Sequence, residues 1–148
     1  MAASSPLPAP TRRALSTFVK LVRAAETVSN RSHAGLPKGL TFAQFGVLEA
    51  LLHCGPLFQS ELATKVLKSP ANLTLVVDNL ERDGHVRRER DPADRRYVRV
   101  RLTESGETFI RELFPTIAAD ITREFSRLTA EEQTTLGNLC RKLGHTTA

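Results

Sequence analysis

One stretch decides the fold: Val86-Arg-Arg-Glu-Arg-Asp-Pro-Ala-Asp-Arg-Arg-Tyr-Val-Arg-Val-Arg-Leu102. Before it, apolar residues recur at helical spacing, but here Val98, Val100 and Leu102 alternate with arginines, which is typical of a half-buried strand. We therefore expect two strands, over residues 86–90 and 97–102, joined by a polar turn. Because the flanking segments have helical patterns, the sequence predicts a mainly α fold with a small β-hairpin wing.

The hairpin also concentrates the positive charge of the chain. The 148 residues carry a formal net charge of +5. Residues 82–101 contain eight arginines and four acidic residues, so this segment alone has a net charge of +4. A local excess of this kind favours a polyanionic partner such as nucleic acid.

The helix before the hairpin has one apolar and one polar face. Ser69-Pro70 predicts the start of this helix, because serine caps helix N-termini and proline is favoured in the first turn. Gly84 predicts its end, because glycine is favoured at the position just after a helix. The apolar face contains Leu73, Val76, Val77 and Leu80, and the opposite face contains Ala71, Asn72, Thr74, Leu75, Asp78 and Asn79. Such a polar face suits contacts with base edges in a major groove, and an ordinary solvated surface is the alternative.

Five further helices are predicted from apolar spacing and capping motifs. They run from Thr11 to about Ser29, from Thr41 to Gly55, from Phe58 to Leu67, from Thr103 through Phe125, and from Thr129 through Leu143. Residues 1–10 are expected to form a flexible tail and residues 30–39 a loop. Thr41 with Gln44 matches a capping box, and Pro115 is expected to bend the fifth helix.

The predicted order is α-α-α-α-β-β-α-α, and a winged helix-turn-helix is expected over about residues 41–103, which predicts DNA binding. Arg95 and Arg96 at the turn suit a narrow minor groove, whose negative potential attracts arginine. Asp91 and Asp94 are expected to form the turn and to position arginines. Phosphate contacts are expected of Arg87, Arg88, Arg90, Arg99 and Arg101, with solvated surface charge as the alternative for each.

From about Thr11 to Leu143 the chain resembles the MarR family of bacterial transcription regulators. The resemblance is carried by Gln59-Ser-Glu-Leu-Ala63, Asn72-Leu-Thr74, Asp78-Asn-Leu-Glu-Arg-Asp-Gly84 and, above all, Arg88-Glu-Arg-Asp-Pro-Ala-Asp-Arg-Arg96 followed by Val100-Arg-Leu-Thr103 and Gly106. It implies a winged helix-turn-helix domain with a helical dimerisation region over about residues 11–30 and 104–145. The apolar stripes of the first and last two helices agree with a homodimer that reads a pseudo-palindromic operator in double-stranded DNA.

The resemblance also implies roles for individual residues. Asn72 and Thr74 match recognition-helix contacts, Arg95 matches the wing arginine that enters the minor groove, and Asp94 matches the acid that holds it. Pro70 departs from the family pattern, because it lacks the N–H that could bind a phosphate. The expected DNA-binding residues are Ser69, Ala71, Asn72, Thr74, Asn79, Arg88, Arg90, Asp94, Arg95 and Arg96.

The family resemblance further implies a repressor that a small aromatic or phenolic ligand releases from DNA. By analogy, the ligand pocket would be lined by Phe18, Val22, Phe45, Leu48 and Phe109, although core packing is the simpler interpretation of each. A redox-sensing regulator is an alternative. It is disfavoured because Cys54, at a helix C-terminus, is expected to be an apolar filler and Cys140 to lie in the core.

Other function classes find little support in the sequence. No nucleophile–base pair, phosphate loop or metal motif predicts an enzyme, and no cofactor is expected. A winged-helix protein-interaction module would not need so many arginines around its wing. Two cysteines without disulfide or metal-ligand spacing and the absence of a long apolar run indicate a cytoplasmic protein with no membrane partner. The family resemblance implies a bacterial protein associated with the nucleoid.

Overall fold

The computed structural model describes residues 6–66 and 70–144. In chain order the elements are α1 (Ala9–Ser32), α2 (Phe42–Cys54), β1 (Leu57–Phe58), α3 (Gln59–Lys65), α4 (Pro70–Arg82), β2 (Val86–Arg90), β3 (Val98–Leu102), α5 (Glu104–Phe125) and α6 (Ala130–Gly144). They divide into two compact units, residues 1–34 with 120–148 and residues 35–119. The prediction of a mainly helical fold with a β-hairpin wing is confirmed.

Helix α1 is longer than its sequence predicts. It begins at Ala9, so residues 9 and 10 of the expected tail are helical, and it ends at Ser32 rather than near Ser29. Pro10 lies in the first turn, where its fixed φ favours helix and its missing N–H costs nothing. Residues 1–5 of the expected tail lie outside the described residues.

The capping box of α2 is confirmed. The Thr41 amide donates to Oε1 of Gln44 at 2.9 Å, and the Gln44 amide donates to Oγ1 of Thr41 at 3.1 Å. Gly55 ends the helix with a φ of 74°, a left-handed conformation that glycine adopts without steric cost. Gly84 does the same after α4, where its φ is 80°.

A third strand, β1, is absent from the predicted order. It pairs with β3 in antiparallel register, Leu57 opposite Val100 and Phe58 opposite Arg99, so the sheet order is β1-β3-β2. Two residues are too short to show an alternating pattern, which is why the sequence predicted helix from Phe58 onward. The strand joins the segment between α2 and α3 to the hairpin.

The core lies in the unit of residues 35–119 and packs α4 against the sheet. It contains Phe45, Val47, Leu48, Leu51, Leu57, Leu62, Ala63, Leu73, Val77, Leu80, Val86, Val100, Ile110 and Ile117. The expected apolar face of α4 is therefore confirmed at Leu73, Val77 and Leu80, while Val76 is partly buried. Leu67, expected in the third helix, lies outside the described residues.

Helix α5 starts in close contact with the turn between α4 and β2. The Thr103 amide donates to the His85 carbonyl at 3.0 Å, and the Gly106 amide donates to Oγ1 of Thr103 at 3.0 Å. A Cβ at Gly106 would overlap the His85 carbonyl group, so only glycine allows this approach. The helix continues through Pro115, and its residues up to Ala119 belong to the unit that contains the wing.

The unit of residues 1–34 and 120–148 exposes much of its apolar surface. Phe18 of α1 is 61% exposed and Leu139 of α6 is 59% exposed. The other exposed large apolar side chains of α1, α5 and α6 are Leu15, Val19, Val22, Ile121, Leu136 and Leu143. Among the described residues, no helix combines the length and the hydropathy that crossing a membrane requires.

Candidate nucleic-acid interface

Helix α4 presents the predicted polar face to solvent. Ala71, Asn72 and Thr74 are exposed in its first two turns, and Asn79 is half-buried further along. The buried apolar residues of the same helix hold it against the sheet, so its outer face is presented as a unit. Ser69, expected to cap this helix and to contact DNA, lies outside the described residues.

Arg88 of β2 connects the hairpin to α4. Its Nη1 lies 2.7 Å from Oδ1 of Asp78 and 3.2 Å from Oε1 of Glu81, and its Nη2 donates to the Thr74 carbonyl at 3.1 Å. Its own amide donates to Oε2 of Glu81 at 2.8 Å. The side chain is only 21% exposed, and its donors are directed at protein acceptors rather than outward.

This placement changes the interpretation of Arg88, which the sequence suggested as a phosphate contact. Side chains alternate along a strand, so Arg88 shares a face with Val86, which is buried. Its cross-strand partner is Val100, another core residue. The alternation therefore contained a signal that Arg88 faces inward, and the local excess of arginine concealed it.

Gln59 is a member of the same network that the sequence did not single out. Its Oε1 accepts from Nε of Arg88 at 3.1 Å, and its Nε2 donates to Oγ1 of Thr74 at 3.0 Å. The side chain therefore connects α3, α4 and β2. No local pattern could have revealed this, because Gln59 and Arg88 are 29 residues apart in sequence.

The wing turn is built by its two aspartates, as predicted. Oδ1 of Asp91 accepts from the Ala93 amide at 2.7 Å, and the Asp91 carboxylate lies 3.6 Å from Arg99. Asp94 accepts from Nε of Arg96 at 3.0 Å and from Nη2 at 2.7 Å. This forked pair, helped by the Arg96 amide, holds the pKa of Asp94 below its ordinary range.

The expectation that Asp94 holds Arg95 is wrong, because the carboxylate binds the next arginine, Arg96. Arg95 is instead held through its backbone, whose carbonyl accepts from Nη1 of Arg90 at 2.9 Å. The Arg95 side chain is exposed, and no hydrogen bond or ion pair connects its guanidinium to any residue that the structure describes. It is the one arginine in residues 82–101 of which this is true.

The remaining arginines of the hairpin have acidic or aromatic neighbours. Glu89 lies 3.0 Å from Nε of Arg87 and 3.3 Å from Nε of Arg101. The Arg99 guanidinium stands 4.8 Å from the centre of the Phe58 ring. These contacts reduce the positive charge that each of these arginines offers to a phosphate.

A polar helix face beside an arginine-tipped hairpin is the arrangement of a winged helix-turn-helix. Residues 40–98 match the model of the MarR family. The chain is 35% identical to an uncharacterised HTH-type transcriptional regulator of Bacillus subtilis, YkoM, over 89% of this chain and 86% of YkoM. The chain belongs to the MarR family.

Two solved structures agree with this membership. One is the structure of Bordetella bronchiseptica BpsR, a protein whose DNA binding is regulated by 6-hydroxynicotinic acid. It matches with a TM-score of 0.79 and 30% identity, over 88% of this chain and 99% of that one. The other is the structure of Sco3205, a MarR family regulator of Streptomyces coelicolor, in complex with DNA. It matches with a TM-score of 0.78 and 26% identity, over 97% of this chain and 91% of that one. This MarR-family protein is a DNA-binding transcriptional regulator.

The residues expected around a ligand have different environments in this MarR-family chain. Phe45 and Leu48 are buried in the core, as the simpler interpretation held. Phe109 is partly buried, and its ring stacks on His85 at 4.5 Å. Phe18 and Val22 are exposed on α1.

Both cysteines are placed differently from expectation. Cys54, expected to be an apolar filler, and Cys140, expected in the core, are exposed free thiols. Cys54 is the last residue of α2 and is exposed together with His53, and α6 has no buried residue along its length. Helical spacing predicts an apolar stripe but does not show what covers it.

Proposed function

We propose that this regulator is a homodimeric repressor that binds a pseudo-palindromic operator and releases it when a small aromatic compound binds. The observation that carries the DNA-binding part is Arg95, whose exposed guanidinium stands at the wing tip without a described partner. Arg90 and Asp94 fix the turn around it, so the side chain is presented on a rigid support. A narrow minor groove attracts such an arginine.

The polar face of α4 supplies the contacts to base edges. Asn72 can pair with adenine, and the methyl group of Thr74 can touch thymine. Ala71 and Asn79 lie on the same outer side, while Ser69 remains a prediction beyond the described residues. Arg96 carries the second exposed charge of the tip, and Arg88 acts by positioning the hairpin against α4.

A second copy of the chain is the proposed cover for the apolar faces of α1 and α6. Exposed residues such as Phe18 and Leu139 would cost solvation free energy in a monomer. A two-fold dimer reads half-sites about one helical turn apart, about 10 base pairs. Sedimentation equilibrium at micromolar concentration should give about twice the chain mass of 16.3 kDa, and a mass of 16.3 kDa would rule the dimer out.

Selection of bound duplexes from a random pool tests the operator. We expect an enriched pseudo-palindrome, bound with an affinity that falls steeply as salt rises, because phosphate contacts release counterions. A winged-helix module for protein interaction would instead enrich no sequence and respond weakly to salt. That outcome would overturn the proposed function.

The effector is sought with the selected duplex. The structural relative BpsR has its DNA binding regulated by 6-hydroxynicotinic acid, which supports a panel of aromatic acids and phenols as releasing agents. Oxidants belong in the same panel, because both thiols are exposed in the single chain. Release by oxidant that is lost in Cys54→Ser or Cys140→Ser would favour the redox alternative over a ligand.

A further inference from the structure

We propose that Leu75 selects thymine in the operator by packing against the C5-methyl group in the major groove. The proposal rests on the proposed contact of α4 with base edges and adds a residue that discriminates between bases. Leu75 is 62% exposed, and it is the large apolar side chain that α4 turns toward solvent. Leu75 is not among the described residues that form or line the apolar core, so core packing does not account for it.

The position of Leu75 follows from helical geometry. At about 100° per residue, Leu75 points about 160° away from Leu73, which is 0% exposed in the core. Ala71 and Asn79 lie one turn before and one turn after it on the same side. Leu75 therefore stands at the centre of the face that α4 presents, opposite the face that anchors the helix.

The neighbours of Leu75 make it the most projecting group of that centre. Ala71, one turn earlier, is exposed but carries only a methyl group. Asn72 and Asn79 flank the centre on one side, and Thr74 and Asp78 flank it on the other. An apolar strip framed by hydrogen-bonding groups matches a base pair that offers a methyl group beside donors and acceptors.

Hydrogen bonds to the neighbouring residue also fix the direction in which Leu75 points. The preceding residue, Thr74, accepts from Arg88 through its carbonyl and from Gln59 through its hydroxyl. These bonds restrain rotation of α4 about its axis at the residue before Leu75. A helix restrained in this way presents the leucine to one place in the groove rather than to several.

The chemistry of the major groove identifies the occupant. Base edges there carry donors and acceptors, which lose water without compensation when an apolar side chain covers them. The thymine C5-methyl group is the apolar exception among the four bases. The net charge of +4 in residues 82–101 favours DNA over an apolar protein partner for this face.

Removal of single methyl groups from the selected operator tests the proposal. Each thymine of a half-site is replaced in turn by deoxyuridine, which keeps the hydrogen-bonding pattern and lacks only the methyl group. Affinities are measured at one fixed salt concentration for wild type, Leu75→Ala and Leu75→Met. Circular dichroism checks the fold of each variant, which an exposed site should leave intact.

We expect one or two thymines per half-site at which deoxyuridine weakens wild-type binding about four-fold, the contribution of one buried methylene-sized group. Leu75→Ala should bind both duplexes equally, and Leu75→Met should keep most of the discrimination. Equal deoxyuridine penalties in wild type and Leu75→Ala would overturn the role of Leu75, as would the absence of any penalty. Failure of the pool selection to enrich a sequence would instead overturn the proposed function.

Discussion

The Arg88 guanidinium lies 2.7 Å from the Asp78 carboxylate and so joins the wing directly to the helix that carries the polar face. The same side chain reaches Glu81, Gln59 and the Thr74 carbonyl. A guanidinium offers five donors in a fixed plane, so a single arginine can restrain three elements at once. The wing and the polar face of α4 are thereby held at one separation.

Arg88→Ala should destabilise the protein more than the loss of an ordinary surface arginine. The substitution removes the Arg88 donors to Oε1 of Gln59 and to the Thr74 carbonyl, and it leaves the Asp78 and Glu81 carboxylates without the charge between them. We expect the free energy of unfolding to fall by about 1–3 kcal/mol. Urea denaturation monitored by circular dichroism measures this change.

Arg87→Ala is the matched control for that experiment. Arg87 is the adjacent residue, its side chain is 58% exposed, and within the described part of the chain its one ion pair is with Glu89 at 3.0 Å. An exposed pair contributes little, so the change should stay within about 0.5 kcal/mol. Equal destabilisation by the two variants would contradict the linking role of Arg88.

Arg95→Ala should weaken binding to the selected operator while leaving the fold unchanged. The Arg95 side chain has no described partner to lose, so its removal affects the interface alone. We expect a loss of about 1–3 kcal/mol, the scale of one good base-reading contact. Gel-shift titration measures the affinity, with Arg111→Ala as the control. This control removes an equal charge from α5, so a larger loss in Arg95→Ala shows a contact made by the wing and not an effect of net charge. Wild-type affinity of Arg95→Ala would count against the wing hypothesis.

The pKa of Asp94 should respond to Arg96. The side-chain hydrogen bond from Arg96 is the largest cause that lowers the pKa of Asp94 below the ordinary 3.8. Because the pKa is depressed in the folded state, the pair stabilises the wing fully at a pH above the ordinary pKa of an aspartate. This stabilisation is lost as the pH falls through the depressed value.

Carbon-detected NMR titration of the Asp94 carboxyl measures this directly. In Arg96→Ala the pKa of Asp94 should rise toward 3.8, because the largest cause of its depression is gone. A titration curve that is the same in both proteins would show that Arg96 does not hold the carboxylate in solution.

Gly106→Ala should be strongly destabilising. The added Cβ would overlap the His85 carbonyl oxygen and come within 2.7 Å of its carbon, and backbone cannot move aside as a flexible side chain can. We expect a loss of about 3 kcal/mol in the free energy of unfolding. Thermal and urea denaturation measure it.

Gly46→Ala provides the contrasting glycine. Among the described residues, its added Cβ would meet only Cγ1 of Val66, at an ordinary 3.6 Å, and Gly46 lies inside α2. Alanine is the better helix former, so this variant should be unchanged or more stable by up to about 1 kcal/mol. Similar losses in both variants would contradict the close approach of α5 to His85.

The sequence by itself determined the helices, the hairpin and the turn that closes it. The capping box of Thr41 and Gln44, the glycine after each of α2 and α4, and the Asp91 turn all act within a few residues. Such signals depend on local backbone chemistry, so they can be interpreted without knowing the rest of the fold. The two-residue strand β1 was missed because it forms only through its pairing with β3.

Only the tertiary structure decided what each arginine does. The composition of residues 82–101 made Arg88, Arg95 and Arg96 look alike, and the acid at position 94 was expected to bind the wrong neighbour. The role of an arginine depends on which acceptors lie within hydrogen-bonding distance, and those of Arg88 come from α3 and α4. Because charge partners are set by contacts between elements distant in sequence, the pattern predicted the interface, whereas the fold selected Arg95 as its exposed tip.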